Sequence, residues 1–211
     1  MVMEPELPPS RAGSLPLVGG NLALDFANTE SGRGFPSHLN HLRDGGSVLD
    51  WLGHASVISP ESERWLRDET FRRPELAADL HASAAALRAA IHGVGAAIGR
   101  GAPPAEALLA SLSGQYARCV DRAALVAENK ACRWRWSVRD APLEAALGPI
   151  AFAAVRLFTE GDFSRIKECG GHACGWLFYD ATKNNRRRWC EMEVCGNRAK
   201  QKRLAARRRD A

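Results

Sequence analysis

Apolar residues recur at helical spacing through much of the first 160 residues. The clearest case runs from Pro74 to about Ile98, where leucine, isoleucine, valine and alanine return every three or four positions. Ser47 is a candidate cap for a helix beginning beside it, and Ser59 followed by Pro60 is a typical helix start. Two further helices are predicted, over roughly 105–118 and over 142–159.

Three segments depart from this pattern. Residues 19–30, "GGNLALDFANTE", have apolar positions on mixed spacing that does not decide between helix and strand, and we expect a helix. Between about 123 and 138, Trp134 and Trp136 alternate with arginines after the turn residues "ENK", which favours a β-hairpin. Residues 1–17 are rich in Pro, Gly and Ser without periodicity, so a flexible lead-in is expected there. A mainly helical N-terminal domain with one β-hairpin therefore spans about 18–160.

Charge divides the chain into two parts. Residues 165–211 contain 13 Lys and Arg against 5 Asp and Glu, whereas the remaining residues contain 16 against 19. A basic tail on a mildly acidic body favours contact between the tail and a polyanion. The start, "MVMEPELPPS", lacks the cationic and apolar regions of a secretory signal, and we expect no stretch of membrane-spanning length. The expected location is the cytoplasm, in association with the nucleoid.

Four of the six cysteines form two Cys-x4-Cys pairs. Cys169 and Cys174 are followed, after fifteen residues, by Cys190 and Cys195. In a reducing cytosol, four thiols in two short loops suit one structural zinc ion with tetrahedral coordination. Two disulfides or four unrelated thiols are the alternative. His172 lies in the first loop and could replace a cysteine, although four sulfurs already fill the coordination shell.

The segments around these cysteines predict a small α+β unit at 165–211. "WLFYD" and "RRRWC" flank the turn residues "ATKNN", which indicates a short β-hairpin between the two pairs. After Cys195, "GNRAKQKRLAARRR" consists mostly of good helix formers. A cysteine loop, a hairpin and then a helix is the order of a treble-clef zinc finger. The overall fold class is therefore α+β: a mainly helical N-terminal domain with a β-hairpin, and a small treble-clef-like C-terminal zinc finger.

At these residues the chain resembles the CGNR-type zinc finger family, named for the run that is Cys195, Gly196, Asn197 and Arg198 here. The resemblance covers residues 165–210 and includes "CGWLFYD", "RRWC" and "CGNRAK". The body is similar to the ABATE domain, which precedes this finger in bacterial proteins, through "GGNLALDFANTE" and a helical stretch with "WL". The resemblance implies a stress-induced transcription regulator whose finger binds DNA.

Basic residues of the finger are the candidates for binding double-stranded DNA. An α-helix fits the major groove, and arginines beside it can grip the phosphate backbone. The candidate DNA-binding residues are Arg186, Arg187, Arg188, Arg198, Lys200, Lys202, Arg203, Arg207 and Arg208. Two other interpretations remain open: a solvated helix that only keeps the protein soluble, and an RNA-binding surface.

Polar residues of the body offer a candidate ligand pocket. Asp25, Asn28, His38 and His41 could line a site for a small-molecule effector, although lone histidines are more often surface or hydrogen-bonded core residues. The sequence contains no phosphate-binding loop, nucleophile elbow or HExxH-like motif, so we expect a protein that is not an enzyme. The alternative is an enzyme in the helical body with the finger as a docking module. A homodimer would suit a symmetric operator, but no dimer surface is indicated.

Overall fold

The computed structural model describes residues 10–209, which fold as helices and three small antiparallel hairpins. The helices are α1 (Leu22–Ala27), α2 (Gly45–His54), α3 (Pro60–Arg72), α4 (Pro74–Gly99), α5 (Glu106–Asp121), α6 (Pro142–Glu160) and α7 (Asn197–Arg209). The strands are β1 (Glu30–Ser31), β2 (Leu39–Asn40), β3 (Ala123–Glu128), β4 (Ala131–Trp136), β5 (Ile166–Glu168) and β6 (Leu177–Tyr179). Each consecutive pair of strands forms one hairpin. The mainly helical α+β class predicted from the sequence is confirmed.

Helix starts follow from local capping. Helix α3 begins as predicted, because the Ser59 hydroxyl accepts a hydrogen bond from the backbone N–H of Ser62. Helix α2 begins three residues earlier than Ser47 would allow. The carboxylate of Asp44 accepts from the backbone N–H of Ser47 at 2.7 Å, and the Ser47 hydroxyl accepts from the backbone N–H of Asp44 at 3.0 Å. This reciprocal capping box makes Asp44 the cap, so the expectation for Ser47 is wrong.

The core lies between α4 and the helices packed around it. Leu87 and Ile91 of α4 are fully buried together with Phe26 of α1 and Trp51 of α2, whose rings are 5.0 Å apart. Helices α4 and α6 are long and apolar enough to span a membrane by length and composition, contrary to the expectation from sequence. Half of each apolar window is buried inside the fold, as in the core helices of a globular protein.

The chain joins this core before residue 18. Residues 1–9 of the expected flexible lead-in lie outside the described part, but residues 12–14 form a 3-10 turn. Ala12 and Leu15 are 1% and 4% exposed, and the Ser10 hydroxyl donates to the backbone oxygen of His41. The flexible lead-in is therefore corrected for these residues, because two apolar side chains fix them against the core.

The hairpin of β3 and β4 was predicted correctly, and it rests on α6. The paired residues include Leu125 opposite Trp134 and Ala123 opposite Trp136. The Trp136 indole N–H donates to the backbone oxygen of Cys119, and its ring meets the edge of Phe152. Tryptophan packing, rather than a platform for a nucleobase, explains this end of the hairpin.

The hairpin predicted between the two cysteine pairs forms with a different partner. Strand β6 pairs with β5, which precedes the first pair, so that Ile166 lies opposite Tyr179. Residues 181–188 form a loop instead of a strand. The buried carboxylate of Asp180 accepts hydrogen bonds from the backbone N–H groups of Thr182 and Arg187, at 3.0 and 2.8 Å, and closes this loop. These bonds satisfy backbone donors locally, so the predicted ladder with "RRRW" does not form.

Candidate metal centre and nucleic-acid interface

The sulfur atoms of the four clustered cysteines converge on one point. The Sγ atoms of Cys169, Cys174, Cys190 and Cys195 all lie within 4.8 Å of one another. Cys190 Sγ is 3.7 Å from both Cys174 Sγ and Cys195 Sγ. Bonded sulfurs would be about 2.05 Å apart, so these thiols are not disulfides. Zinc–sulfur bonds of about 2.3 Å in a tetrahedron place neighbouring sulfurs about 3.8 Å apart, and the cluster fits one such ion.

Proton sharing within the cluster also fits a cation. Hydrogen bonds from the thiols of Cys174 and Cys190 lower the pKa of Cys169 well below its usual range, and the bond with Cys169 raises the pKa of Cys174. Cys174, Cys190 and Cys195 therefore keep their protons beside the single thiolate of Cys169, because four neighbouring thiolates would repel one another. A dication removes that repulsion by replacing the protons, so zinc binding releases protons. The backbone N–H of Cys190 donates to Cys169 Sγ at 3.2 Å and helps to hold the negative sulfur.

Local backbone geometry shapes both cysteine loops. The first loop is the connection between β5 and β6, where Ala173 and Gly175 have φ values of 56° and 69°. This left-handed conformation favours glycine and is unusual for alanine. The second loop ends in a π-helical turn, Met192–Gly196, in which the backbone N–H of Cys195 donates to the Glu191 carbonyl. His172 lies outside the sulfur cluster, and its ring packs on Phe35 with centroids 5.3 Å apart.

The finger shares a core with the helical body. Leu177 of β6 and Ile166 of β5 pack with Leu24 of α1, Ala96 of α4 and Leu157 of α6. Two chemically distinct parts of the sequence, the acidic body and the basic tail, therefore meet across a buried apolar contact. This arrangement fixes the position of the metal site relative to the body.

Polar contacts reinforce that junction. The buried amide of Asn28 donates to the backbone oxygen of Leu177 and accepts from its N–H, both at 2.8 Å. The first cysteine loop, called the zinc loop below, is held by the backbone N–H of Gly32, which donates to the Cys174 carbonyl at 3.0 Å. At the next residue, the His92 ring donates to the backbone oxygen of Gly175 at 2.8 Å. The body therefore contacts the metal-binding loop directly.

The four expected pocket residues have separate structural roles. Besides Asn28, the Asp25 carboxylate accepts from the backbone N–H of Gly19, and burial raises the pKa of Asp25 to about 6. The His38 ring is hydrogen-bonded to the Glu30 carboxylate, and the His41 ring accepts from the backbone N–H of Arg11. The hydrogen bonds and ion pairs of the described residues join none of the four to another. These contacts do not join the four residues into one site, and a ligand pocket at them stays a prediction.

Most of the predicted DNA-binding cations are exposed and unpaired. Helix α7 contains no Asp or Glu, and its 13 residues extend for about 20 Å from the zinc site. Within the described residues, none of the nine predicted cations forms an ion pair with a carboxylate, and eight of them are exposed. These eight are Arg186, Arg188, Arg198, Lys200, Lys202, Arg203, Arg207 and Arg208. By contrast, Arg67, Arg88 and Arg100 of the body each contact an acidic side chain.

Arg187 is the exception among the nine predicted residues. Its side chain is half-buried and donates to the backbone oxygens of Val18 and Trp189, at 2.9 Å in both cases. The guanidinium carbon lies 4.4 Å from the centroid of the Phe178 ring. Arg187 therefore joins the finger to the N-terminal segment, and its contact with DNA stays a prediction. The run of three arginines gives no signal that distinguishes the middle one.

The finger and the body together define the class of protein: a zinc-finger protein whose C-terminal metal site is packed on a helical domain. The CGNR zinc finger family model matches residues 165–208. The ABATE family model, described as "Putative stress-induced transcription regulator", matches residues 20–161. No curated protein matches the chain. The chain belongs to the ABATE family and carries a CGNR zinc finger, in which the four cysteines fit one structural zinc ion.

Proposed function

We propose that the protein is a DNA-binding transcription regulator in which zinc, held by the four cysteine thiolates, fixes α7 for insertion into the major groove. The observation that carries the proposal is the set of eight exposed cations without carboxylate partners on a finger that is packed firmly against the body. Such a surface repels itself unless a polyanion neutralises it. The membership of a regulator family supports DNA as that polyanion, and the proposed place of action is the cytoplasm, in association with the nucleoid.

The positions of the cations suggest which of them contact bases and which contact phosphates. Helix α7 has 13 residues, or about four helical turns, along which its arginines and lysines can reach base edges in the major groove. Arg186 and Arg188 lie on the loop before the second cysteine pair and are placed to contact phosphates. Six neutralised phosphates would give a slope of roughly −5 for log affinity against log salt.

The helical body is proposed to regulate the finger, not to catalyse a reaction. Both matched families are described by regulation or metal binding, which supports a protein that is not an enzyme. A small-molecule effector stays part of the proposal for the body. Asp25, Asn28, His38 and His41 stay the proposed residues of its site.

Genome-wide DNA selection with the zinc-loaded full chain tests the proposal. An Arg203→Glu and Arg207→Glu variant should lose the fragments that the wild type enriches. The matched control is Arg122→Glu with Arg156→Glu, which makes the same charge change on exposed body residues. Equal enrichment by all three proteins would remove the DNA-binding role of α7. Competition of duplex DNA against structured RNA at fixed salt, won by the RNA, would replace DNA by RNA as the partner.

A further inference from the structure

A cleft of about 430 Å³ lies between the first cysteine loop and helix α7. Its lining includes three small residues, Gly170 and Gly171 of the loop and Ala199 of the helix. The zinc site explains the two glycines. A Cβ atom on Gly170 would lie 3.2 Å from the Trp189 ring, and one on Gly171 would lie 3.1 Å from Cys195 Sγ. The packing around the metal thus keeps a hollow open at the start of the helix.

Cations line this cleft from two separate elements. Arg188 stands on the loop before Cys190, with its guanidinium 5.5 Å from the centroid of the Trp189 ring. The other three are Arg198, Lys202 and Arg203 of α7. No acidic residue is among the residues that line the cleft. Cys195 lines the cleft as well, and one zinc ion with four thiolates has a formal charge of about −2. The four cations outnumber that charge, and a net positive hollow favours the binding of an anion.

A neighbouring groove shows why the cleft is the better anion site. That groove is lined by Arg100, Lys167 and Glu168, among others, and it also reaches Arg188. There Arg100 contacts Glu168 at 3.0 Å, and Lys167 contacts the buried carboxylate of Asp180 at 2.6 Å. Arg186 and Arg187 also line this groove, so two of its five cations are already neutralised by the protein. In the cleft, the described residues supply no such carboxylate.

We propose that this cleft holds a backbone phosphate of the DNA, so that Arg188 and the first turns of α7 fix the protein on one strand. This inference rests on the proposed DNA-binding function. It divides the predicted DNA-binding cations into those that line the cleft and those that lie outside it. Arginine donates two parallel hydrogen bonds to phosphate oxygens, and cations on opposite walls can hold one phosphate from two sides. Phosphate contacts of this kind set the register, while base contacts supply specificity. Lys200 and Arg207 lie on α7 outside the cleft lining and would contact base edges in the major groove of the DNA.

The test compares two double variants of the zinc-loaded full chain in fluorescence-anisotropy titrations with duplex DNA. The cleft variant is Arg188→Gln with Lys202→Gln. The control is Arg186→Gln with Lys200→Gln, which removes the same charge from the same two elements outside the cleft. We expect the cleft variant to bind at least about tenfold more weakly than the control on every sequence. Its slope of log affinity against log salt should be flatter than the control's by about 1.

A second pair of variants leaves the contact between Arg188 and Trp189 untouched. Arg198→Gln with Lys202→Gln is compared with Lys200→Gln with Arg207→Gln, and all four variants are checked for zinc content. Duplexes carrying one methylphosphonate at a time locate the phosphate, since a neutral group at the bound position weakens wild-type binding. The cleft variants should lose that positional effect, and the controls should keep it.

The outcomes separate the two proposals. Equal losses in the cleft and control variants, with wild-type binding to duplex intact, would overturn the phosphate site and leave the DNA-binding function standing. The phosphate site would also be overturned if the cleft variants kept the same positional effect of a methylphosphonate as the controls. Failure of the wild-type, zinc-loaded chain to bind duplex DNA would remove both.

Discussion

The Asn28 amide gives the sharpest test of the junction between body and finger. Its side chain is 2% exposed and exchanges two hydrogen bonds of 2.8 Å with the backbone of Leu177, which is fully buried. Asn28→Ala removes both partners and leaves a buried N–H and a buried carbonyl without hydrogen bonds. Each such group costs about 1–3 kcal/mol, so the free energy of unfolding should fall by about 2–6 kcal/mol. A folded domain is typically stable by about 5–15 kcal/mol. The upper estimate of the loss therefore equals the whole stability of a marginally stable domain.

Urea unfolding of the zinc-loaded protein, followed by tryptophan fluorescence, measures this loss. The matched control is Asn184→Ala, on an exposed asparagine of the finger loop, whose expected effect is below about 0.5 kcal/mol. Asn28→Asp is the second variant, because a carboxylate oxygen would then face the Leu177 carbonyl without a proton to donate. A loss for Asn28→Ala no larger than that for Asn184→Ala would refute the reasoning that these bonds join the two parts.

Three further predictions follow from the same contacts. Zinc removal by a chelator should lower the unfolding midpoint of the helical body as well as that of the finger, because Gly32 and His92 hold the zinc loop; an unchanged body transition would contradict this. Burial raises the pKa of Asp25 to about 6, so its contribution to stability falls as the pH rises from about 4 to 6. Asp25→Asn should therefore gain more stability over wild type at pH 7.5 than at pH 4.5, and an equal difference at both would disprove it. Arg187→Gln should lower the melting temperature more than Arg186→Gln does, and equal shifts in calorimetry would argue against its bonds to the backbone.

The sequence predicts most of the body because its signals are local. The long helix α4 repeats its apolar positions over many turns, and the start of α3 combines a serine cap with proline. The metal site is equally local, since the spacing of two cysteine pairs restricts each loop to a few conformations. These features depend on neighbours in the chain, which the sequence displays directly.

Contacts between distant segments are what the sequence does not reveal. Asn28 and Leu177 are 149 positions apart, and nothing in either neighbourhood indicates their pairing. The β6 strand has two possible partners, and the choice of β5 depends on the buried Asp180, whose role emerges only when its bonds to Thr182 and Arg187 are formed. The pKa of Asp180 also depends on these contacts. Burial alone would raise it, but hydrogen bonds from Lys167, Thr182 and Arg187 outweigh burial and lower it.

The body and the finger are one packed structure, although composition separates them. Charge and cysteine content change sharply near residue 165, which suggests two independent units. Ile166 and Leu177 nevertheless lie in one apolar cluster with residues from three helices of the body. Composition reports surface chemistry, whereas packing depends on the few apolar residues that face inward.

We infer that one zinc ion in a shell of four sulfurs fixes the basic helix relative to the body. Zinc K-edge X-ray absorption on the purified, zinc-bound protein measures this most directly. We predict one zinc per chain and a single shell of four sulfur atoms at about 2.3 Å. A shell containing nitrogen or oxygen ligands, or a folded protein with paired cysteines and no zinc, would contradict the account.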